Sequence, residues 1–201
     1  MGPFRPVVTD EDAFLRCTDV HTIVEHALPH RTVWGMVFSP RQRLWLVQWR
    51  REDKDVCPGL WDASCGGHVD CVSGGPETYA VAYRRELREE LGLDACFLQQ
   101  PPRPKDLLDL QAALTFDMGH TREYHVYPAR GDKTQLEREH VQRYLSLYDG
   151  PVSMRPDGEP QGLAWMTSEQ IREQFIHRER ATIALEHMLW HCEAALRSWG
   201  I

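Results

Sequence analysis

The chain has 201 residues, a formal net charge of −7 and 26% charged residues. This length is most simply one domain, 1–201, with enough chain for a substantial core. No apolar run approaches the length of a membrane span, which argues against a membrane protein. No basic block stands out, which argues against a dedicated nucleic-acid surface. A small phosphorylated substrate stays compatible with this charge, because a bound metal can supply local positive charge.

The cysteines and the N-terminus predict a location. Residues 1–6 lack the apolar region of a signal peptide. The six cysteines form no C-x-x-C pair and no zinc spacing, and Cys65 and Cys71 are the nearest two in sequence. We therefore expect a cytoplasmic protein with free thiols that serve mainly in packing.

The first part of the chain predicts a hairpin after an irregular start. Residues 1–20 are polar and read as an N-terminal extension, with Met1 to Asp10 mobile or at a sheet edge. His21 to Pro29 fits a short helix or an irregular connection. Thr32 to Phe38 and Leu44 to Gln48 are rich in β-branched and aromatic residues, and the turn between them favours a β-hairpin.

The stretch 77–93 predicts a helix with two distinct faces. Glu86, Glu89 and Glu90 fall at i, i+3 and i+4, which places three carboxylates on one side. An apolar stripe occupies the other side, Gly92 fits a C-cap, and Pro76 with Glu77 suits the first turn. A solvated, salt-bridged face is the simpler interpretation. The clustered carboxylates and the upstream turn Gly66-Gly67-His68 instead favour a site for Mg²⁺ or Mn²⁺.

The remaining chain predicts three more strands, two helices near the C-terminus and one further segment that is helical or an insertion. Ala95 to Gln99 and Glu123 to Ala129 favour strands, whereas Leu136 to Tyr148 is predicted to be helical or to carry an insertion. Gly162 to Met166 favours a last strand, followed by a helix capped at Thr167 or Ser168. An amphipathic C-terminal helix is predicted at 179–199. Its apolar stripe most simply packs on the domain, and a homodimer stays open.

The helix carries a family resemblance. Glu77, seven residues, and then Arg85-Glu86-Leu87-x-Glu89-Glu90-x-Gly92-Leu93 resemble the signature of the Nudix hydrolases. In one departure, nine residues separate Gly67 from Glu77 where the family pattern has five; we interpret the extra residues, within Asp70 to Gly75, as a loop insertion. The resemblance implies an α/β (α+β) Nudix fold with a mixed β-sheet between helices, here with an extra C-terminal helix.

The resemblance also implies a reaction and roles. Nudix enzymes use Mg²⁺ or Mn²⁺ to hydrolyse a diphosphate bond in a nucleoside diphosphate linked to another group. By matching the signature, Glu86 and Glu89 would act in catalysis together with Arg85, which would orient the glutamates and pair with Glu77. The general base is left open. The implied metal ligands are Glu86, Glu89, Glu90 and Glu123, and the implied substrate-binding residues are Gly66, Gly67, His68, Arg50 and Lys54.

Two other functions stay open. The order of strand, turn, strand, P-G-x-W-D and G-G-H-V before the helix is similar to the isopentenyl-diphosphate isomerase branch of the family. The isomerase needs a cysteine immediately before its Gly-His pair, but Gly66 stands there and Cys65 comes one residue too early. Four residues nevertheless resemble the isomerase's metal site: His21, His30, His68 and Glu123. A non-catalytic nucleotide-binding Nudix module is the third possibility, supported by the insertion alone.

Overall fold

The computed structural model describes residues 4–73, 75–102, 107, 112–131, 133–154 and 160–201. Parts of two predicted segments lie outside these ranges: residues 1–3 of the N-terminal segment and residue 74 of the insertion.

A mixed β-sheet of ten strands forms the centre of the described chain. Its main path runs β12-β4-β3-β11-β10-β9; β3 and β4 are antiparallel, which confirms the predicted hairpin, and β3 and β11 are parallel. A separate two-stranded hairpin, β7 with β8, occupies the predicted insertion. The strands are β1 Arg5–Val8, β2 Phe14–Thr18, β3 His30–Ser39, β4 Leu44–Arg50, β5 Trp61–Asp62, β6 Cys65–His68, β7 Cys71–Val72, β8 Gly75–Pro76, β9 Ala95–Leu98, β10 Ala113–Ala129, β11 Lys133–Leu147 and β12 Pro160–Met166.

Each α-helix begins after a side chain that accepts a hydrogen bond from the first turn, as N-caps do. Thr78 caps α2, so this helix begins two residues later than the predicted start at Glu77; Gly92 ends it in the left-handed conformation, as predicted. Thr182 caps α4, which begins four residues after the predicted start at 179. No helix in the described ranges combines the length and hydropathy needed to cross a bilayer. The helices are α1 Val20–His26, α2 Tyr79–Leu91, α3 Ser168–Gln174 and α4 Ile183–Trp199, with a 3₁₀ turn at Ile176–Arg178.

The sheet lies between helices because its strands bury both faces. Consecutive residues of a strand point to opposite sides, so Met36 packs with α3 and α4 while Val37 packs with α2. This arrangement confirms the predicted fold class. The apolar stripe of α4 is buried within the chain and is therefore not available as a dimer surface; it comprises Leu185, Met188, Leu189, Cys192 and Leu196.

The predicted helix at Leu136 to Tyr148 is wrong, because this segment is most of strand β11. The strand lies between β3 and β10, and nine of its residues are buried. A strand that is buried on both sides shows no alternation of polar and apolar residues, which removes the usual sequence signal.

The N-terminal segment is tied to the insertion. β1 pairs with β2 and touches β3, and Val7 and Val8 are buried, so this part is a strand at the sheet rather than a mobile arm. Cys17 on β2 forms a disulfide with Cys71 on β7. The expectation of free thiols is wrong for this pair, and the argument for a reducing compartment loses its support from these two cysteines. The free cysteines are Cys57, Cys65, Cys96 and Cys192.

Candidate active site

Arg85 connects the carboxylates of α2 to the strand in front of it. Its guanidinium donates hydrogen bonds to Glu77 at 2.7 Å, to Glu86 at 2.6 Å and to the carbonyl oxygen of His68 at 2.8 Å. Glu89 lies 3.4 Å from the same guanidinium. The expected pairing of Arg85 with Glu77 is therefore present. Because a guanidinium presents several donors in a fixed plane, it fixes the position of Glu86 as well.

The two glycines of β6 let the helix carboxylates approach the sheet. A Cβ atom on Gly67 would lie 2.1 Å from Oε1 of Glu86, so only glycine leaves room for this carboxylate. The backbone N–H of Gly66 donates to Oε2 of Glu90 at 3.2 Å. Glu86 and Glu90 are buried, whereas about half of the Glu89 side chain is exposed. Two of the three carboxylates thus face the sheet, and the third lies at the rim.

A cavity of about 380 Å³ opens beside these carboxylates. Glu86 contributes to one side of it, and the basic side chains Arg50 and Lys54 contribute to another. Arg50 also donates to Asp62 at 2.9 Å, which orients its guanidinium. The cavity therefore combines carboxylates with cationic groups. All five residues expected to bind substrate line it: Gly66, Gly67, His68, Arg50 and Lys54.

Sequence reasoning missed two carboxylates of the same cavity. Glu137 and Glu139 on β11 both line it, since residues at i and i+2 of a strand share a face. Burial raises the pKa of Glu139 to about 8, helped by repulsion from Glu137, and burial also raises the pKa of Glu137. The E-x-E spacing would have indicated this pair, had the segment been recognised as a strand.

Glu123 lies elsewhere. It is on β10, hydrogen-bonded to His125 at 2.8 Å and 3.9 Å from His187 of α4. It is not among the residues that line the cavity beside Glu86. The structure therefore does not bring Glu123 together with the carboxylates of α2.

The isomerase-like histidines are brought together only in part. The rings of His30 and His68 stack at 5.2 Å, and Nε2 of His30 lies 3.6 Å from Glu137. Burial lowers the pKa of both imidazoles, that of His30 to about 4. His21 is exposed on α1. Glu137, rather than Glu123, is the acidic neighbour of this histidine pair.

Cys65 does not take the place of the isomerase cysteine. Its side chain is almost completely buried and packs with Tyr83 and Leu87 of α2. Burial raises its pKa well above the ordinary thiol value, with the charge of Glu90 as a further cause. A thiol in this environment stays protonated and is a poor nucleophile or acid–base group at neutral pH.

The residues around the cavity fit a hard divalent cation. Carboxylate oxygens are the ligands that Mg²⁺ and Mn²⁺ prefer. Glu86 of the helix lines the cavity together with Glu137 and Glu139 of β11. Glu90 lies one helical turn further on, against the backbone N–H of Gly66. Repulsion between the two β11 carboxylates is a cost that a cation beside them would relieve.

The family-model comparison matches the NUDIX domain over residues 28–186. The chain belongs to this family, which confirms the resemblance seen in the sequence and supports the expectation of an enzyme. It is 27% identical over 161 residues to an isopentenyl-diphosphate delta-isomerase of Schizosaccharomyces pombe, covering 76% of this chain and 62% of that protein. It is 42% identical over 64 residues to Nudix hydrolase 3 of Arabidopsis thaliana, covering 32% of this chain and only 8% of that protein.

Solved structures share the fold at low sequence identity. DR0079 from Deinococcus radiodurans matches with a TM-score of 0.65 and 20% identity, covering 94% of this chain and 98% of that one. The NUDIX domain of Shewanella oneidensis NrtR, solved with ADP ribose, matches with a TM-score of 0.56 and 13% identity, covering 83% and 87%. These likenesses confirm the Nudix fold.

Proposed function

We propose that this chain hydrolyses a diphosphate bond in a nucleoside diphosphate linked to another group, in a reaction that depends on Mg²⁺ or Mn²⁺. The observation that carries the proposal is the cavity in which Glu86 of α2 and the β11 carboxylates Glu137 and Glu139 meet Arg50 and Lys54. Carboxylates can hold the cation, and the basic side chains can bind phosphate oxygens. The ADP ribose bound by the S. oneidensis NUDIX domain belongs to the proposed substrate class.

The proposal gives each residue a role. Glu86 and Glu90, with Glu89 at the rim, would hold the cation, and Arg85 would keep Glu86 in position. When bound, the cation neutralises diphosphate charge and activates a water molecule. In hydrolysis, a water oxygen would form a bond to phosphorus as the bridging P–O bond breaks and the second phosphate leaves, and a carboxylate of the cavity would accept the proton of the water. Glu137 and Glu139, which line the cavity, are our candidates for this general base.

The isomerase reaction is the second candidate. It is supported by the S. pombe relative and by His30 and His68 beside Glu137. The glycine at position 66 weighs against it, because the isomerase needs a cysteine there, and Cys65 is buried against α2. The binding module without catalysis is ranked last, because none of the signature glutamates is missing.

The decisive experiment measures turnover of nucleoside di- and triphosphates, nucleotide sugars, dinucleoside polyphosphates and isopentenyl diphosphate, with and without Mg²⁺ or Mn²⁺. We expect cation-dependent cleavage of at least one nucleotide. Glu90→Gln and Glu89→Gln should each reduce kcat by about 100-fold or more, because each removes a charged ligand. Glu25→Gln, at an exposed position on α1, is the matched control and should leave kcat unchanged.

Three other outcomes of this experiment would change the assignment. Full turnover in both Glu89→Gln and Glu90→Gln would overturn the metal assignment. Conversion of isopentenyl diphosphate without nucleotide cleavage would establish the isomerase reaction. Nucleotide binding without any turnover would establish a binding module.

The proposed partner is thus a small nucleotide or related organic diphosphate. A homodimer stays a prediction that light scattering can test, and the buried stripe of α4 gives it no support. The cytoplasmic location also stays a prediction from the sequence.

A further inference from the structure

We infer that Glu123, His125 and His187 form a second metal site, for Zn²⁺. It is separate from the cavity of about 380 Å³ that Glu86 lines, which we call the carboxylate cavity. The three side chains come from two elements, since β10 supplies Glu123 and His125 and the first half of α4 supplies His187. One ligand atom from each lies within 4.8 Å of the other two. This inference does not depend on the proposed hydrolysis.

The geometry of the cluster suits a small tetrahedral ion. Ligand atoms around a tetrahedral Zn²⁺, with bonds of about 2.0–2.2 Å, lie about 3.3–3.6 Å apart. Glu123 Oε2 lies 2.8 Å from Nε2 of His125 and 3.9 Å from Nδ1 of His187, so the two distances bracket this value. The His187 side chain is 37% exposed, so part of it is free of packing contacts that would oppose a small rotation towards Glu123.

The chemistry of the cluster selects zinc over magnesium. Two imidazole nitrogens and one carboxylate oxygen are a donor set that Zn²⁺ uses in catalytic sites with an open fourth position. Mg²⁺ prefers oxygen ligands and retains water, so it would not compete well here. In the described part of the chain, the ion-pair partners of Glu123 are these two imidazoles, so its carboxylate is not held by lysine or arginine.

An aromatic ring and a cavity border the cluster. The Trp34 ring lies 6.5 Å from each of the two imidazole rings, and Trp34 also lines the carboxylate cavity, so it borders both sites. On the other side, Glu123 and His187 line a cavity of about 620 Å³. A water molecule from this cavity can complete the coordination.

A comparable cluster on the chain is less suitable. Asp12, His120 and His140 also bring ligand atoms within 4.8 Å. The carboxylate of Asp12, however, already accepts hydrogen bonds from Arg31 at 2.6 Å and from Tyr79 at 3.0 Å. The guanidinium charge of Arg31 opposes a cation there, so the inference concerns the Glu123 cluster alone.

The test is calorimetric titration of the chelator-treated full chain with Zn²⁺, in excess Mg²⁺ to occupy the carboxylate cavity. We expect one Zn²⁺ equivalent whose affinity falls by at least about 100-fold in His187→Ala and in Glu123→Gln, because each removes a ligand. His177→Ala is the control, since His177 is exposed and lines the same 620 Å³ cavity outside the cluster. It should bind Zn²⁺ as the wild type does.

A second readout separates ligation from folding. Zn²⁺ should raise the unfolding temperature of the wild type and of His177→Ala, but not that of His187→Ala, whose unfolding temperature without metal should match the wild type. Equal Zn²⁺ affinity in all variants, or no zinc binding by the wild type at micromolar concentrations, would overturn the inference.

Discussion

Gly67 lies beneath the carboxylate of Glu86, and this contact sets the position of a proposed metal ligand. A methyl group at residue 67 would overlap Oε1 and push the carboxylate away, while the strand itself could remain. We therefore expect Gly67→Ala to reduce kcat/KM by about 100-fold, since a displacement of about 1 Å at a reacting centre can have this effect. The free energy of unfolding should change by less than about 1 kcal/mol, because the obstructing atoms lie at the end of a side chain and not in the backbone.

The matched control for this change is Gly162→Ala on β12. A Cβ atom there would lie 3.8 Å from Trp49, an ordinary contact, so activity should be unaffected. Steady-state kinetics and urea unfolding of both variants check the expectation. Wild-type kcat/KM in Gly67→Ala would contradict the role given to the close approach of Gly67 and Glu86.

The sequence predicted those parts of the site that depend on local spacing. Glu86 and Glu90 share one helix, so helical geometry placed them on one side, while the role of Arg85 and of the glycines before the helix came from the family resemblance. The partners on β11 could not be found in this way, because Glu137 and Glu139 meet the helix only through strand pairing across the sheet. Glu123 was assigned by resemblance, and its position beside α4 depends on tertiary packing that no local pattern contains.

At the scale of elements, β11 shows how tertiary structure overrides propensity. The segment contains glutamate, arginine, glutamine and leucine, which favour helices when packing does not decide. Here β3 and β10 provide hydrogen-bonding partners on both sides of the strand. Burial on both faces of the sheet removes the alternation of polar and apolar residues that would indicate a strand. In contrast, β3 and β4 are rich in β-branched and aromatic residues with a short turn, so they were predicted correctly.

The buried imidazole of His30, on β3, predicts that the stability of the fold depends on pH. Burial lowers the pKa of His30 to about 4, below the ordinary value of about 6.5 in an unfolded chain. The unfolded state therefore binds a proton before the folded state does, and stability is lost as the pH falls from about 6.5 to about 4. The loss from this group is on the order of 3 kcal/mol.

A variant isolates this contribution. Glu139, whose pKa is raised, acts in the opposite direction over part of the same range, so the wild-type profile alone is not sufficient. His30→Asn keeps a donor for the carbonyl of Leu28, which lies 3.0 Å from Nδ1, but does not titrate. Urea unfolding at pH 7 and pH 4.5 should show a smaller acid loss in the variant. Equal losses would show that His30 is not responsible.

At the scale of the whole molecule, the Cys17–Cys71 disulfide links the N-terminal hairpin to the insertion before α2. It closes a loop with a sequence separation of 54 residues. The chain-entropy relation gives about 4 kcal/mol for a loop of this length. Strain in the native state and residual structure in the unfolded chain make the observed effect smaller than this value. We therefore expect that reducing the disulfide lowers the free energy of unfolding by about 2–4 kcal/mol.

The measurement compares urea unfolding with and without a phosphine reductant. The double variant Cys17→Ser, Cys71→Ser should unfold like the reduced wild type and should not respond to the reductant. Cys96→Ser, at an exposed free thiol, should respond as the wild type does. Six reactive thiols in the non-reduced, denatured protein would contradict the disulfide.

The parallel pairing of β3 with β11 has a consequence for the order in which the molecule assembles in time. The two central strands are joined by a long connection that contains α2 and the strands β4 to β10. During synthesis, β3 therefore has one long edge without its partner until the chain has been made as far as Leu147, the end of β11. Such distant pairings slow folding, because the entropy of closing the loop is lost before the contacts form. Since Glu137 and Glu139 arrive on this same late strand, a partly synthesised chain holds Glu86 and Glu90 but not the finished cavity.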